Sequence, residues 1–205
     1  MHITLDGREV AGRLPADSTL QQLINSVDGP ALAGRLIVGV SINGAPLLGS
    51  SLGERLACPV SEQDDIALVS EGRQKLASGA LFEAADALER LQPLLDQLAA
   101  NVTAGRAADT LPEALAAWQV VPQTLQAAMQ LTGFDAERAE FDGRPITAHL
   151  GTLVEKLGDL RDAFQSQDTV YVADLLRYEM PEMCVHWAGV LRHVGECVTL
   201  DAPRR

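Results

Sequence analysis

The sequence predicts an α+β protein: a small module of strands around one helix over residues 1–72, then an antiparallel four-helix bundle over residues 73–200. Two observations predict it. Beyond residue 73, four stretches repeat their apolar positions in a 4-3-4-3 rhythm, the 3.5-residue spacing that keeps one seam of a helix against its neighbours. Before residue 73, short β-rich runs alternate with turn dipeptides instead.

In the first module, Ile3-Thr4-Leu5 and Val10 flank Asp6-Gly7, whose two residues accept the positive φ of a hairpin turn. Asp17-Ser18-Thr19 offers helix caps ahead of Leu20, Leu23, Ile24 and Val27, an i, i+3, i+4, i+7 face. Leu36 to Ile42 reads as a strand, and Asn43-Gly44 as a second hairpin turn into a short strand. A polar stretch follows, and Asp64-Asp65 precedes a last strand, Ile66 to Val69.

That order resembles the ubiquitin-like β-grasp fold, in particular its small sulfur-carrier branch. The matching parts are Ile3 to Val10, the helix around Leu20 to Val27, Val40-Ser41-Ile42-Asn43-Gly44 and Asp65 to Val69. Sulfur carriers end in a free Gly-Gly tail, whereas here Glu71-Gly72 runs into a helix and the chain ends Pro203-Arg204-Arg205. What the resemblance implies is a rigid sheet surface for binding other proteins, without carrier chemistry.

The first bundle seam is Ala77, Leu81, Ala84, Leu88, Leu91, Leu95, Leu98, Val102; the second is Leu111, Leu115, Trp118, Pro122, Leu125, Met129. The third is Ile146, Leu150, Leu153, Leu157, Leu160, Phe164, and the fourth Leu176, Met180, Met183, Trp187, Val190, Val194. Breaks fall at Gly105 to Asp109, at Gly133 to Gly143 and near Gln165 to Asp168, with Asp168 as N-cap of the last helix and Pro145 in the first turn of the third. Pro93, Pro122 and Pro181 each remove one ladder hydrogen bond, so each bends its helix, or, at Pro122 and Pro181, splits it.

Composition narrows the function classes. The formal charge is −12, with four basic and nine acidic residues in 1–72 against twelve and nineteen in 73–205. Acidity spread in this way disfavours nucleic acid and anionic lipid as partners. Three cysteines without a C-x-x-C pair suit a reduced, cytoplasmic chain better than a disulfide framework. No basic, apolar leader opens the sequence, and no window of about 18 uncharged apolar residues could span a membrane. Nucleotide-binding and hydrolase motifs such as G-x-x-x-x-G-K-[ST], G-x-G-x-x-G and G-x-S-x-G do not occur.

The last helix holds the candidate chemistry. Glu179, Glu182, His186, His193 and Cys197 fall on one stripe beside the seam, and Glu182 with His186 has the i, i+4 spacing of two ligands for one transition metal. A di-metal bundle needs matching acids from other helices, which supply only isolated ones such as Glu83, Glu113 and Glu155. The alternative reading is a half-buried polar stripe joined by Glu–His hydrogen bonds. Cys184 reads as a packing residue, and Cys197 with His193 as a thiol–imidazole pair lacking the rest of a catalytic site.

Tyr171, Tyr178, Val185 and Gly189 lie opposite the seam, where a bundle helix is expected to be polar. Such a face is either merely semi-exposed or covered by a second copy of the chain, by the first module or by a partner. Asp174 to Pro181, followed by Trp187, resembles a stretch of uncharacterised bacterial helical proteins, which implies no activity. The expected protein is therefore a bacterial, cytoplasmic, non-enzymatic module that binds a protein partner or itself as a homodimer, with no cofactor. Its rival is a metal-binding bundle, enzyme or sensor, using Glu179, Glu182, His186 and His193.

Overall fold

The first 73 residues build a five-stranded mixed sheet. The structure, a computed structural model, describes residues 1–10, 18–27, 32 and 34–200, without the side chains of 107–111, 113, 114 and 117. The expected cap Asp17, the seam side chain of Leu111, the acid Glu113 and the C-terminal Arg204-Arg205 lie outside that set. The chain divides into two compact units, Met1–Arg73 and Gln74–Arg205.

In the first unit the strands β1 (His2–Leu5), β2 (Arg8–Glu9), β3 (Arg35–Ile42), β4 (Ala45–Pro46) and β5 (Asp65–Gly72) lie in the order β2-β1-β5-β3-β4. The first and last strands in sequence, β1 and β5, pair in parallel inside the sheet, and every other pair is antiparallel. Both hairpins turn on two residues with positive φ, Asp6-Gly7 at 50° and 76° and Asn43-Gly44 at 52° and 78°. That is the geometry whose twist matches the strands it joins.

Helix α1 (Leu20–Val27) starts at Thr19. The Thr19 N–H donates to Gln22 Oε1 at 3.0 Å and Gln22 N–H returns to Thr19 Oγ1 at 3.3 Å, a reciprocal cap that satisfies two helix-end donors. Its buried Leu20, Leu23 and Val27 close over Ile3, Leu5, Val40, Ile42, Ile66 and Leu68 of the sheet. The stretch read as merely polar contains a helix, α2 (Gly49–Leu56). Ser51 Oγ caps it by accepting the Leu48 N–H at 3.1 Å, and Leu52 and Leu56, four apart, press against the module core.

The second unit contains α3 (Arg73–Leu91), α4 (Leu95–Thr103), α5 (Ala107–Thr132), α6 (Ile146–Gln165), α7 (Thr169–Asp174) and α8 (Met180–Leu200). A 3-10 turn, Gln92–Leu94, joins α3 to α4 at Pro93, and a π turn, Leu175–Glu179, joins α7 to α8 just before Pro181. The π turn follows from the proline. Its ring crowds the carbonyl four residues back, and a wider turn, with Met180 N–H bonded to Leu175 O, relieves that crowding. By contrast α5 runs unbroken through Pro112 and Pro122.

The buried positions follow the expected seams in α3, α6 and α8 and depart from them in α5. There the buried line is Trp118, Val121, Leu125 and Ala128, while Pro122 and Met129 are exposed. Turning Pro122 outward lets water satisfy the Trp118 carbonyl that proline leaves without its helical donor. Asp168 caps α7, its Oδ1 accepting the Tyr171 N–H at 3.0 Å. Pro145 stands one residue earlier than expected, as the N-cap of α6.

The segment between α5 and α6, read as a break, is a third hairpin. Strands β6 (Glu140–Phe141) and β7 (Arg144–Pro145) meet at Asp142-Gly143, with φ of 50° and 73°. It carries the same Asp-Gly signal as the first hairpin, and it positions the site described next.

Candidate functional site

Phe141 of the small hairpin is wedged among three imidazoles. Its ring centroid lies 5.9 Å from that of His149 on α6 and 5.7 and 5.6 Å from those of His186 and His193 on α8. The wedge fits because residue 189 is glycine: a Cβ there would stand 3.2 Å from Phe141 Cζ. Gly189, assigned from sequence to an outer face, is thus met by the chain's own hairpin.

The histidines are chained as well as stacked. His149, only 4% exposed, lies 2.9 Å through Nε2 from the Phe141 carbonyl oxygen, and its Nδ1 lies 3.1 Å from His186 Nε2. A carbonyl only accepts, so His149 carries a proton on Nε2; in that tautomer its Nδ1 accepts from His186 Nε2–H. This leaves Nδ1 as the basic lone pair of His186. Burial holds the His186 pKa below its ordinary value, helped by His149 and Arg144 and opposed by Asp142.

Of these residues, His149 and His186 line one wall of a cleft of about 310 Å³ shared by α6, α8, β7 and the π turn. Leu153, Met183 and Trp187 supply apolar surface, and Arg144, Thr152, Lys156, Glu179 and Glu182 supply polar groups. Lys156 Nζ and Glu179 Oε2 are 2.6 Å apart across the cleft, and that pairing raises the Lys156 pKa.

The expected stripe is therefore divided among separate partners. Glu179 is held by Lys156, His186 by His149, and His193 faces Phe141 on one side and Cys197 Sγ at 3.6 Å on the other. Among the described residues no group of three His, Cys, Asp or Glu side chains converges on a point that could hold a metal ion. Glu83 and Glu155 are exposed. Cys184 is buried among apolar neighbours, which pushes its thiol up to about 12.

Sequence reasoning missed His149 and Lys156, because each is an isolated polar residue on α6 whose partner lies on another helix. On the outer face, Tyr171 is exposed, with Tyr178 at 63% and Val185 at 57%.

A second feature belongs to the first unit. Strand β4 pairs with β3 only at Ser41 and Ile42, and Leu47 N–H adds a bond to the Val40 carbonyl. Among the described residues no strand pairs with that edge over Leu36–Gly39. Alongside it runs a groove of about 600 Å³ lined by Ile24, Ile37, Val38, Leu48, Leu52 and Leu56, among others. Leu48 on its rim is 73% exposed. A β-bulge between Ile37 and Gly39 interrupts the register with β5 beside it.

These observations define an α+β protein with a histidine-lined cleft in its helical unit and an apolar groove along the sheet of the other. The family described as "Domain of unknown function (DUF8042)" matches residues 80–189, more than half of the chain, and the chain belongs to that family. The matched segment contains every residue of the cleft. No curated protein and no solved structure matches the chain. No helix among the described residues is long and apolar enough to cross a membrane.

Proposed function

We propose that the chain is a protein-binding module whose first unit, a β-grasp-like domain, captures an extended segment of a partner along β3. The observation that carries this reading is the strand edge over Leu36–Gly39 lying beside an apolar groove. An edge left unpaired presents backbone donors and acceptors that another strand satisfies, while pockets beside it select alternate side chains. The β-grasp reading is supported by the β2-β1-β5-β3-β4 order with β1 and β5 parallel under α1. Reading the second unit as an antiparallel four-helix bundle is supported by its shared core and by the packing of α4 on α5 and α7, α6 on α7, and α5 on α8. In this role the chain needs no cofactor, and its acidity favours partners with basic residues flanking the apolar strand.

The test is a peptide-display selection against the full chain. Enriched peptides should alternate β-branched or aromatic residues with polar ones. Their binding should slow amide exchange at Leu36–Gly39 and fall at least tenfold, about 1.4 kcal/mol, in Val38→Lys and Leu48→Asp. Peptides that protect another region, or a selection that enriches nothing, reject the reading.

The exposed Tyr171, Tyr178 and Val185 favour a second contact, a homodimer formed through α7 and α8. Light scattering that finds a monomer at every concentration rejects that part alone.

A further inference from the structure

The cleft of the helical unit holds charges without a partner among the described residues. Lys156 and Glu179 satisfy each other. The side chains of Arg144 and Glu182 line the same cleft, yet neither has an ion-pair or hydrogen-bond partner among the described residues, and they are not paired with each other. Among the described residues, a cation and an anion without such a partner therefore face a common space. His186 joins them: it follows Glu182 by one turn of α8, and Arg144 is near enough to act on its titration. Buried Leu153 and Trp187 and half-buried Met183 give the cleft an apolar side.

We infer that this cleft binds a free α-amino acid with an apolar side chain, its carboxylate on Arg144, its ammonium on Glu182 and its side chain against Leu153, Met183 and Trp187. Such a ligand carries both charges and an apolar group on one small frame. A simple anion would meet Glu179 and Glu182, and a simple cation would meet Arg144 and Lys156, so neither matches the lining. Guanidinium is suited to a carboxylate because it offers two parallel donors.

The histidine chain supplies the remaining acceptor. With Nε2–H given to His149, the His186 Nδ1 lone pair can take a second hydrogen of the ammonium. The volume, about 310 Å³, lies at the small end of ligand sites, as an amino acid requires. The proposal concerns the helical unit and stands or falls apart from strand capture by the sheet.

The test is calorimetry and thermal shift on the full chain with leucine, methionine and phenylalanine. Two half-ligands, isoamylamine and 4-methylpentanoate, accompany them. The amino acids should bind and raise the melting temperature, and each half-ligand should bind at least tenfold more weakly, about 1.4 kcal/mol. Arg144→Gln should weaken leucine and leave isoamylamine unchanged, whereas Glu182→Gln should weaken leucine and leave 4-methylpentanoate unchanged. Both side chains are exposed, so both variants should melt like the parent without ligand. The inference is overturned if no amino acid binds at ~10 mM. It is equally overturned if a half-ligand binds as well as leucine, or if both variants keep the parent affinity.

Discussion

Replacing Gly189 by alanine sets two effects of similar size against each other. Alanine in the middle of α8 should gain about 1 kcal/mol of helix propensity over glycine. The new Cβ, however, stands 3.2 Å from Phe141 Cζ, so the ring must retreat by a few tenths of an ångström. Retreat loosens its contacts with three imidazoles, each worth about 0.5–1.5 kcal/mol. It also strains the bond from His149 to the Phe141 carbonyl, worth about 1 kcal/mol. In the parent chain the two effects should nearly cancel or leave a small loss. In a Phe141→Ala background the obstacle is gone, and Gly189→Ala should stabilise by the full ~1 kcal/mol. Urea unfolding of the four proteins closes the double-mutant cycle, and a coupling of about 1–2 kcal/mol is expected. If Gly189→Ala stabilises both backgrounds equally, the hairpin does not rest on α8 at this point and the packing described for Phe141 is wrong.

Acid should weaken the helical unit through His186. Its folded pKa lies below the ordinary 6.5, so between those values the unfolded chain holds a proton that the folded chain does not. The contribution is complete above 6.5 and is lost as the pH falls through that window; urea midpoints measured from about pH 7.5 to 5 should drop more steeply in the parent than in His186→Gln. Cys184, buried and with its thiol at about 12, should resist alkylation of the native protein at neutral pH, while half-buried Cys58 and Cys197 react. Mass spectrometry of the labelled chain decides this, and native labelling of Cys184 would contradict its placement. Trp118 is fully buried with no partner for its indole N–H among the described residues. Trp118→Phe removes that orphan donor, so it should cost about 1–3 kcal/mol less than Trp187→Phe. Equal losses in thermal unfolding would refute the assignment.

Placed together, the proposed sites divide the labour between the units. As proposed, the strand edge would specify its occupant through backbone groups, and the cleft would specify its occupant through charge. The hairpin β6–β7 serves the cleft in both respects: Phe141 orders the histidines, and Arg144 brings the cation. A perturbation of that hairpin should therefore be felt at the cleft first.

Local patterns made much of this chain legible. Apolar spacing marked α1, α3, α6 and α8, because burial on one side of a helix recurs at 3.6 residues and needs no knowledge of what lies opposite. Asp6-Gly7 and Asn43-Gly44 announced their hairpins, since so few residue pairs accept two positive φ values. Asp142-Gly143 carried that signal too and was obscured by two-residue strands too short to alternate. Other features belong to the assembled fold alone. Pro122 turned outward and Val121 inward because the rotation of α5 is settled by its neighbours. The histidine chain, the Lys156–Glu179 pair and the facing charges of Arg144 and Glu182 join residues that are distant in sequence. Periodicity reports which side of an element is buried; which partner arrives there is set only when elements pack, and the chemistry of the cleft resides in those arrivals.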